Sequence, residues 1–225
     1  MSEKSKRAIM GWEESLCGDP VPMDCCGKDE GPEAEVGYCT ICECKCEESP
    51  GRAPLKLHLG CGHRRLEGYT NIDILPSVEP DIVGDVTKLA VLPDNSAEII
   101  YACHVFEHIP RPHIPDTLRE WRRVLQPGGI LRVSVPNFQT LAELYLYDGI
   151  SMWRINGPLA GRQDYPANTH YMIYDYEYLA WTLGQAGFYD IRRWYPAIVL
   201  PKGYDDYSKA RINGNLISLN LEATA

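Results

Sequence analysis

The sequence has no run approaching 18 consecutive apolar residues, which excludes a membrane-spanning helix. It is short of positive charge: 22 Lys and Arg face 31 Asp and Glu, for a net charge of -9. A protein that grips nucleic acid needs a basic face, so nucleic acid is not the expected partner. No apolar stretch follows the few basic residues at the start, "MSEKSKRAIMGWEESLCGDP". A secretory leader is therefore not expected, and the cytoplasm is the expected location. Seven of the nine cysteines lie within the first 46 residues, and in a cytoplasmic setting permanent disulfides are not expected. What is present is apolar content of 44% over 225 residues, enough for one ordinary domain with its own core plus a modest extra segment.

The extra segment is the head. Residues 1–53 form a cysteine-rich, acidic stretch without apolar periodicity, and its first 50 residues hold 12 acidic and 5 basic side chains. This reads as an irregular appendage that lacks the apolar surface to offset its ordering entropy. In "YCTICECKC" the thiols Cys39, Cys42, Cys44 and Cys46 are candidate ligands for zinc, because the Cys39-x2-Cys42 spacing lets two thiolates grip one ion. An iron–sulfur cluster, or a tail with free or oxidised thiols, is the alternative.

From residue 54 the pattern alternates. Short β-rich runs at 55–59, 69–74, 81–86, 97–103, 130–136, 190–194 and 215–223 predict strands. The stretches 115–125, 138–147 and 174–186 predict helices, the first with Leu118, Trp121, Val124 and Leu125 as its apolar stripe. The expected fold is α/β: a Rossmann-like, seven-stranded, mostly parallel sheet with flanking helices, binding its ligand at the C-terminal strand ends. Only "HRRLEG" separates Gly62 from Tyr69, so the usual first crossover helix is expected to be a turn or a stub. The stretch 156–178 is expected to be irregular, and a substrate lid is expected around 148–173.

"LHLGCG" is a strand followed by Gly60-x-Gly62, a turn that lets backbone approach a ligand closely. A third glycine is missing; Arg64 or Arg65 stands in its place, which weighs against a pyrophosphate-binding dinucleotide site. Asp73, at the end of the second strand, can accept both ribose hydroxyls of a nucleoside. Asp85 follows the third strand, within reach of an adenine amino group. Past the fourth strand, "CHVFEHIPRPH" supplies His104, Glu107, His108 and His113. His108 is the candidate general base, oriented by Glu107, and His170 is the second candidate, with Arg162 and Asp164 as binding groups. The other readings are a structural Glu107–His108 pair and a metal trio with His104, although the spacing is not His-Glu-x-x-His.

Taken together, "LHLGCG", "NIDI", "GDVTKLAVLPDNSAEIIYACHVFEHI", "LREWRRVLQPGGILRVSVP" and "LGQAGFYDIRRW" resemble the class I S-adenosylmethionine-dependent methyltransferases over roughly 54–225. The sequence looks most similar to a bacterial subgroup associated with sugars and glycans. The resemblance implies S-adenosylmethionine as cofactor and a seven-stranded sheet whose last strand is antiparallel. It places Gly60 and Gly62 beside the methionine portion, Asp73 on the ribose, Asp85 and Val86 around adenine, and His104 near the sulfonium. Arg64 or Arg65 would replace the missing helix in holding the cofactor carboxylate. The expected reaction is methyl transfer to a hydroxyl or amine of a small polar acceptor such as a sugar. A peptide or natural product docked by the head, and a cofactor-binding regulator without turnover, are the alternatives. Oligomeric state is open.

Overall fold

The computed structural model describes residues 54–225, within a compact unit spanning Ala53–Ala225. Cys39, Cys42, Cys44 and Cys46 lie outside the described residues.

Seven strands build one sheet: β1 (Leu55–Leu59), β2 (Thr70–Asp73), β3 (Ile82–Val83), β4 (Ala97–Cys103), β5 (Leu125–Pro136), β6 (Tyr189–Arg193) and β9 (Ser218–Thr224). Their order is β3-β2-β1-β4-β5-β9-β6. The pairs from β3 to β5 are parallel, and β9 runs antiparallel to both β5 and β6. The sheet is thus mixed, with the last strand in the chain reversed, as the resemblance implies. A short hairpin, β7 (Arg211–Ile212) with β8 (Asn215–Leu216), precedes β9. The expected strand 215–223 therefore breaks at Ile217, whose side chain packs into a separate apolar cluster with Leu141, Leu144 and Ile155.

Helices α1 (Ile114–Val124), α2 (Phe138–Tyr147), α3 (Met152–Ala160), α4 (Tyr176–Gln185) and a single turn, α5 (Pro196–Val199), accompany the sheet. The 3.6-residue period of α1 buries Ile114, Leu118, Trp121 and Val124, with Pro115 in the first turn where its missing N–H costs nothing. Leu125 is the first residue of β5 rather than the end of the helix. The central core joins this face to Leu57, Leu59, Ile100, Val133 and Leu221 of the sheet, all fully buried.

Two local expectations change. The stretch expected to be irregular from 156 opens inside α3. Gly157 and Pro158 read as breakers, yet both fall in the helix's last turns, which close on a bond from Gly161 N–H to Gly157 O at 2.9 Å. The third strand shortens from 81–86 to two residues, Ile82–Val83.

The stub expected between β1 and β2 is there, and no helix forms between Gly60 and Tyr69. Asn71 takes over the work of a crossover helix. Its Oδ1 accepts from Leu66 N–H at 2.8 Å, and its Nδ2 donates to the Leu66 and Tyr69 carbonyls. Leu66, buried against Tyr101, Cys103, Trp194 and Leu200, anchors the connection.

Pairing of Leu59 with Ile72 and Ala102, and of Cys103 with Ser134, aligns the C-terminal ends of β1, β2, β4 and β5 along one edge. The chain order reverses between β1 and β4, so the crevice over these ends is the place where such a sheet receives a ligand. No helix among the described residues is long and apolar enough to cross a membrane.

Candidate functional site

The first half of the site is the turn after β1. Gly60 has φ +63°, and a Cβ there would sit 2.2 Å from Val105 Cγ2, so only glycine lets the turn lie against the chain leaving β4. Gly62 has φ +51°, and nothing stands within 4 Å of where its Cβ would be. The N–H groups of Gly60 and Cys61 both donate to Ile72 O, which fixes the turn to β2. Asp73, buried at the end of β2, accepts from Gly62 N–H through Oδ2 at 2.8 Å and from Leu75 N–H through Oδ1 at 2.9 Å. Each carboxylate oxygen has lone-pair capacity beyond its one bond.

Two further cofactor-side residues follow β3. Asp85 accepts from Thr87 N–H at 2.9 Å and from Thr87 Oγ1 at 2.7 Å, so it shapes its own exposed turn. The Val86 carbonyl accepts from Trp121 Nε1 at 2.8 Å, tying this turn to α1. Arg64 is directed elsewhere. Its guanidinium donates to the Asp205 carbonyl and lies over the Tyr207 ring, 5.3 Å from the centroid. The segment around 204–207 thereby folds over the glycine turn, with Tyr204 Oη donating to Arg64 O at 2.8 Å. Asp206 is buried and accepts from Tyr101 Oη at 2.5 Å, a structural use. Cys61 is buried in the turn; burial first, then the Asp73 carboxylate, pushes its thiol up to about 11.

The second half stands past β4. His104 has φ +53°, a left-handed conformation that costs a non-glycine residue about 1–3 kcal/mol and is held by the surrounding contacts. One 3-10 turn, Phe106–His108, then carries Glu107 fully buried beneath it. Glu107 is the hub. His104 Nδ1 lies 3.3 Å from its Oε1 and His170 Nε2 lies 3.9 Å from the same atom. Neither carboxylate oxygen has a hydrogen-bond partner. Burial pushes this carboxyl up, but His104, then His108 and His170, outweigh burial and hold it below its ordinary value. His170 is shifted down, chiefly by burial and against the pull of Glu107. The rings of His108 and His170 meet edge to face, with centroids 4.6 Å apart.

The segment between α3 and α4 lies on this hub. The Glu107 carbonyl accepts from Tyr171 N–H at 2.9 Å and from Met172 N–H at 3.2 Å. His108 Nδ1 pairs with Thr169 O at 3.1 Å, and His170 Nδ1 with Pro158 O at 3.0 Å. The structure therefore brings Glu107, His108 and His170 together although 62 residues separate the two histidines. Arg162 and Asp164 are exposed, and Asp164 accepts from Asn168 Nδ2 at 2.5 Å. Sequence reasoning missed Ser218, whose Oγ meets His104 Nε2 at 2.7 Å, and the Thr169 and Pro158 carbonyls. Backbone acceptors and a serine more than 100 residues away leave no local signal.

Residues 57–133 match a family model described as a methyltransferase domain. A protein named probable methyltransferase ltbC, from Aspergillus luteorubrus, is 41% identical over 49 residues. That match covers 21% of this chain and 17% of the fungal protein's own length. Among solved structures, a SAM-dependent methyltransferase from Archaeoglobus fulgidus is 17% identical, covering 76% of this chain and 86% of that one with a TM-score of 0.49. One from Methanosarcina mazei is 19% identical, covering 75% and 90% with a TM-score of 0.47. The matched segment runs from β1 into β5, the parallel part of a sheet whose strand order and polarity are those of the class I methyltransferase fold.

Proposed function

We propose that the chain transfers a methyl group from S-adenosylmethionine to a hydroxyl or amine of a small polar acceptor. The observation that carries this reading is the bond from Gly62 N–H to Asp73 Oδ2, which turns the carboxylate at the end of β2 toward the glycine turn at the end of β1. A nucleoside cofactor fits there: the glycines admit its backbone-side approach, and Asp73 has spare acceptor capacity for ribose hydroxyls. Gly60, Gly62, Asp73, Asp85 and Val86 would hold the cofactor, with His104 at the sulfonium side. Arg64, engaged by Asp205 and Tyr207, would act on the cofactor carboxylate only by exchanging those partners.

The bound sulfonium would supply an activated methyl group. The acceptor's oxygen or nitrogen takes the methyl carbon as the carbon–sulfur bond breaks, and the acceptor's proton must leave. His108 takes up that proton in this reading, with Glu107 beside it and His170 as the second base. Tyr165 and Tyr171 on the covering segment, both roughly half exposed, offer aromatic faces to a ring-shaped acceptor, which supports a sugar or glycan.

Calorimetry with S-adenosylmethionine, S-adenosylhomocysteine and NAD tests the cofactor. Binding of the first two without NAD is expected, and binding of NAD alone would overturn the assignment. Asp73→Asn keeps an acceptor for Gly62 N–H but removes the charge. It should weaken cofactor binding by about tenfold or more, the worth of a hydrogen bond to a charged group. Unchanged affinity would reject the ribose role. Turnover to S-adenosylhomocysteine against sugars, peptides and small amines tests the acceptor class and separates an enzyme from a cofactor-binding regulator.

A further inference from the structure

The imidazoles around Glu107 are each committed through one nitrogen. Ser218 Oγ donates its only hydrogen to Tyr207 O, so toward His104 Nε2 it accepts, and Nε2 carries the hydrogen. Carbonyl oxygens only accept, so His108 Nδ1–H donates to Thr169 O and His170 Nδ1–H donates to Pro158 O. In the neutral rings the opposite nitrogens, His104 Nδ1, His108 Nε2 and His170 Nε2, are therefore lone pairs. Two of them stand 3.3 and 3.9 Å from one oxygen of a fully buried carboxylate. The nearer imidazole, His104, lies within ion-pairing range of Oε1 and offsets part of its charge, while no hydrogen bond of normal geometry reaches either oxygen and His170 stands too far for one. Lone pairs facing a buried carboxylate repel unless something positive lies between them, and an uncompensated buried charge costs several kcal/mol. The 3.9 Å from His170 Nε2 to Oε1 is too long for a shared proton in a hydrogen bond. It suits two ligand atoms on one ion. One donor atom each from Glu107, His108 and His170 fit within 4.8 Å of one another.

We propose that Glu107, His108 and His170 bind a divalent first-row transition-metal ion. Two imidazole nitrogens and one carboxylate select zinc, iron, cobalt or manganese over calcium and magnesium, and they leave coordination positions open. The Thr169 and Pro158 carbonyls play the outer part that orients metal-bound histidines: each fixes the tautomer and turns the ring. The residues come from two places, the turn after β4 and the segment after α3, so the ion would pin that segment over the sheet edge. The inference goes beyond the methyl-transfer reading and does not depend on turnover. An ion held there occupies the lone pairs that His108 and His170 would need as bases, so in the metal-bound protein neither takes the acceptor's proton.

The test is a titration of metal-free, full-length protein with cobalt(II). Its background is the variant in which Cys17, Cys25, Cys26, Cys39, Cys42, Cys44 and Cys46 are all replaced by Ser, so that head thiolates do not compete. One equivalent of cobalt is expected, with visible bands and no sulfur-to-cobalt charge transfer, together with a raised melting temperature. Glu107→Gln and His170→Asn should each weaken cobalt binding by more than about tenfold. Absence of stoichiometric cobalt in the parent, or equal binding in both substituted proteins, would overturn the site. Should the substituted proteins fail to fold, the parent titration decides alone. S-adenosylhomocysteine affinity measured on the same sample separates failure of the ion site from failure of the methyltransferase reading.

Discussion

Gly60 and Gly62 are two residues apart and share a backbone conformation, yet they are constrained by different things. At Gly60 an added methyl meets Val105, so Gly60→Ala should cost at least about 2 kcal/mol from the clash and the positive φ together. At Gly62 only the positive φ resists, so Gly62→Ala should cost about 1 kcal/mol of stability. Urea unfolding of the two variants checks the order, and equal losses would show that Val105 yields freely. Cys61 gives the turn a pH signature. Its thiol is pushed from 9.0 to about 11, so the folded chain holds that proton more tightly than the unfolded chain. The stability this contributes is intact below about pH 9 and is lost as pH rises through about 11. Tyr101 and Cys103, raised by burial, act in the same direction, so Cys61→Ala should flatten the alkaline decline only in part. Unfolding midpoints followed from pH 8 upward decide it.

Where helices are missing, single side chains tie the elements together. Asp81 accepts from Asn71 N–H at 2.8 Å and Nδ2 at 3.0 Å and pairs with Arg65, so it joins the β1–β2 connection to the start of β3. Asp81→Ala should cost about 1–3 kcal/mol, because it leaves the buried Asn71 short of an acceptor. Thermal or urea unfolding measures that loss. Trp121→Phe would keep most of the α1 packing but orphan the Val86 carbonyl. The expected result is about 1–3 kcal/mol of lost stability and weaker adenosine binding, read by calorimetry with S-adenosylhomocysteine. Full affinity would remove Val86 from the cofactor site. The pattern of α1 and β4 was legible because their apolar faces repeat at fixed periods, 3.6 in one and a continuous buried run in the other. α3 was not legible, because it buries only Ile155 and carries Gly157 and Pro158 in its last turns.

At the scale of the molecule, the covering segment, the glycine turn and the 204–207 stretch converge on the edge formed by β1, β2 and β4. A ligand held among them should bridge them. Hydrogen exchange is expected to slow on binding S-adenosylhomocysteine at 60–65 and at 204–207, and to slow on binding a metal at 161–172. Protection confined to β6, the strand at the opposite edge of the sheet, would place the ligand elsewhere. The two halves of the site are built differently, and that explains why one was easier to read. Gly60, Gly62 and Asp73 are local punctuation at strand ends, and their spacing survives in one dimension. The partners of His104, His108 and His170 are Ser218 and two carbonyls, which come from chain far away in sequence.

By itself the sequence determined the alternation of strands and helices, the absence of a full first crossover helix and the glycine turn with an acid facing it. These follow from apolar periodicity and from backbone conformations that few residues tolerate. Tertiary structure alone decided that His170 would meet Glu107, that Arg64 would turn to Asp205 and Tyr207, and that a fully buried carboxylate would stand among three imidazoles. Such contacts depend on how the segment after α3 packs back over the sheet edge, and packing is a property of the folded whole.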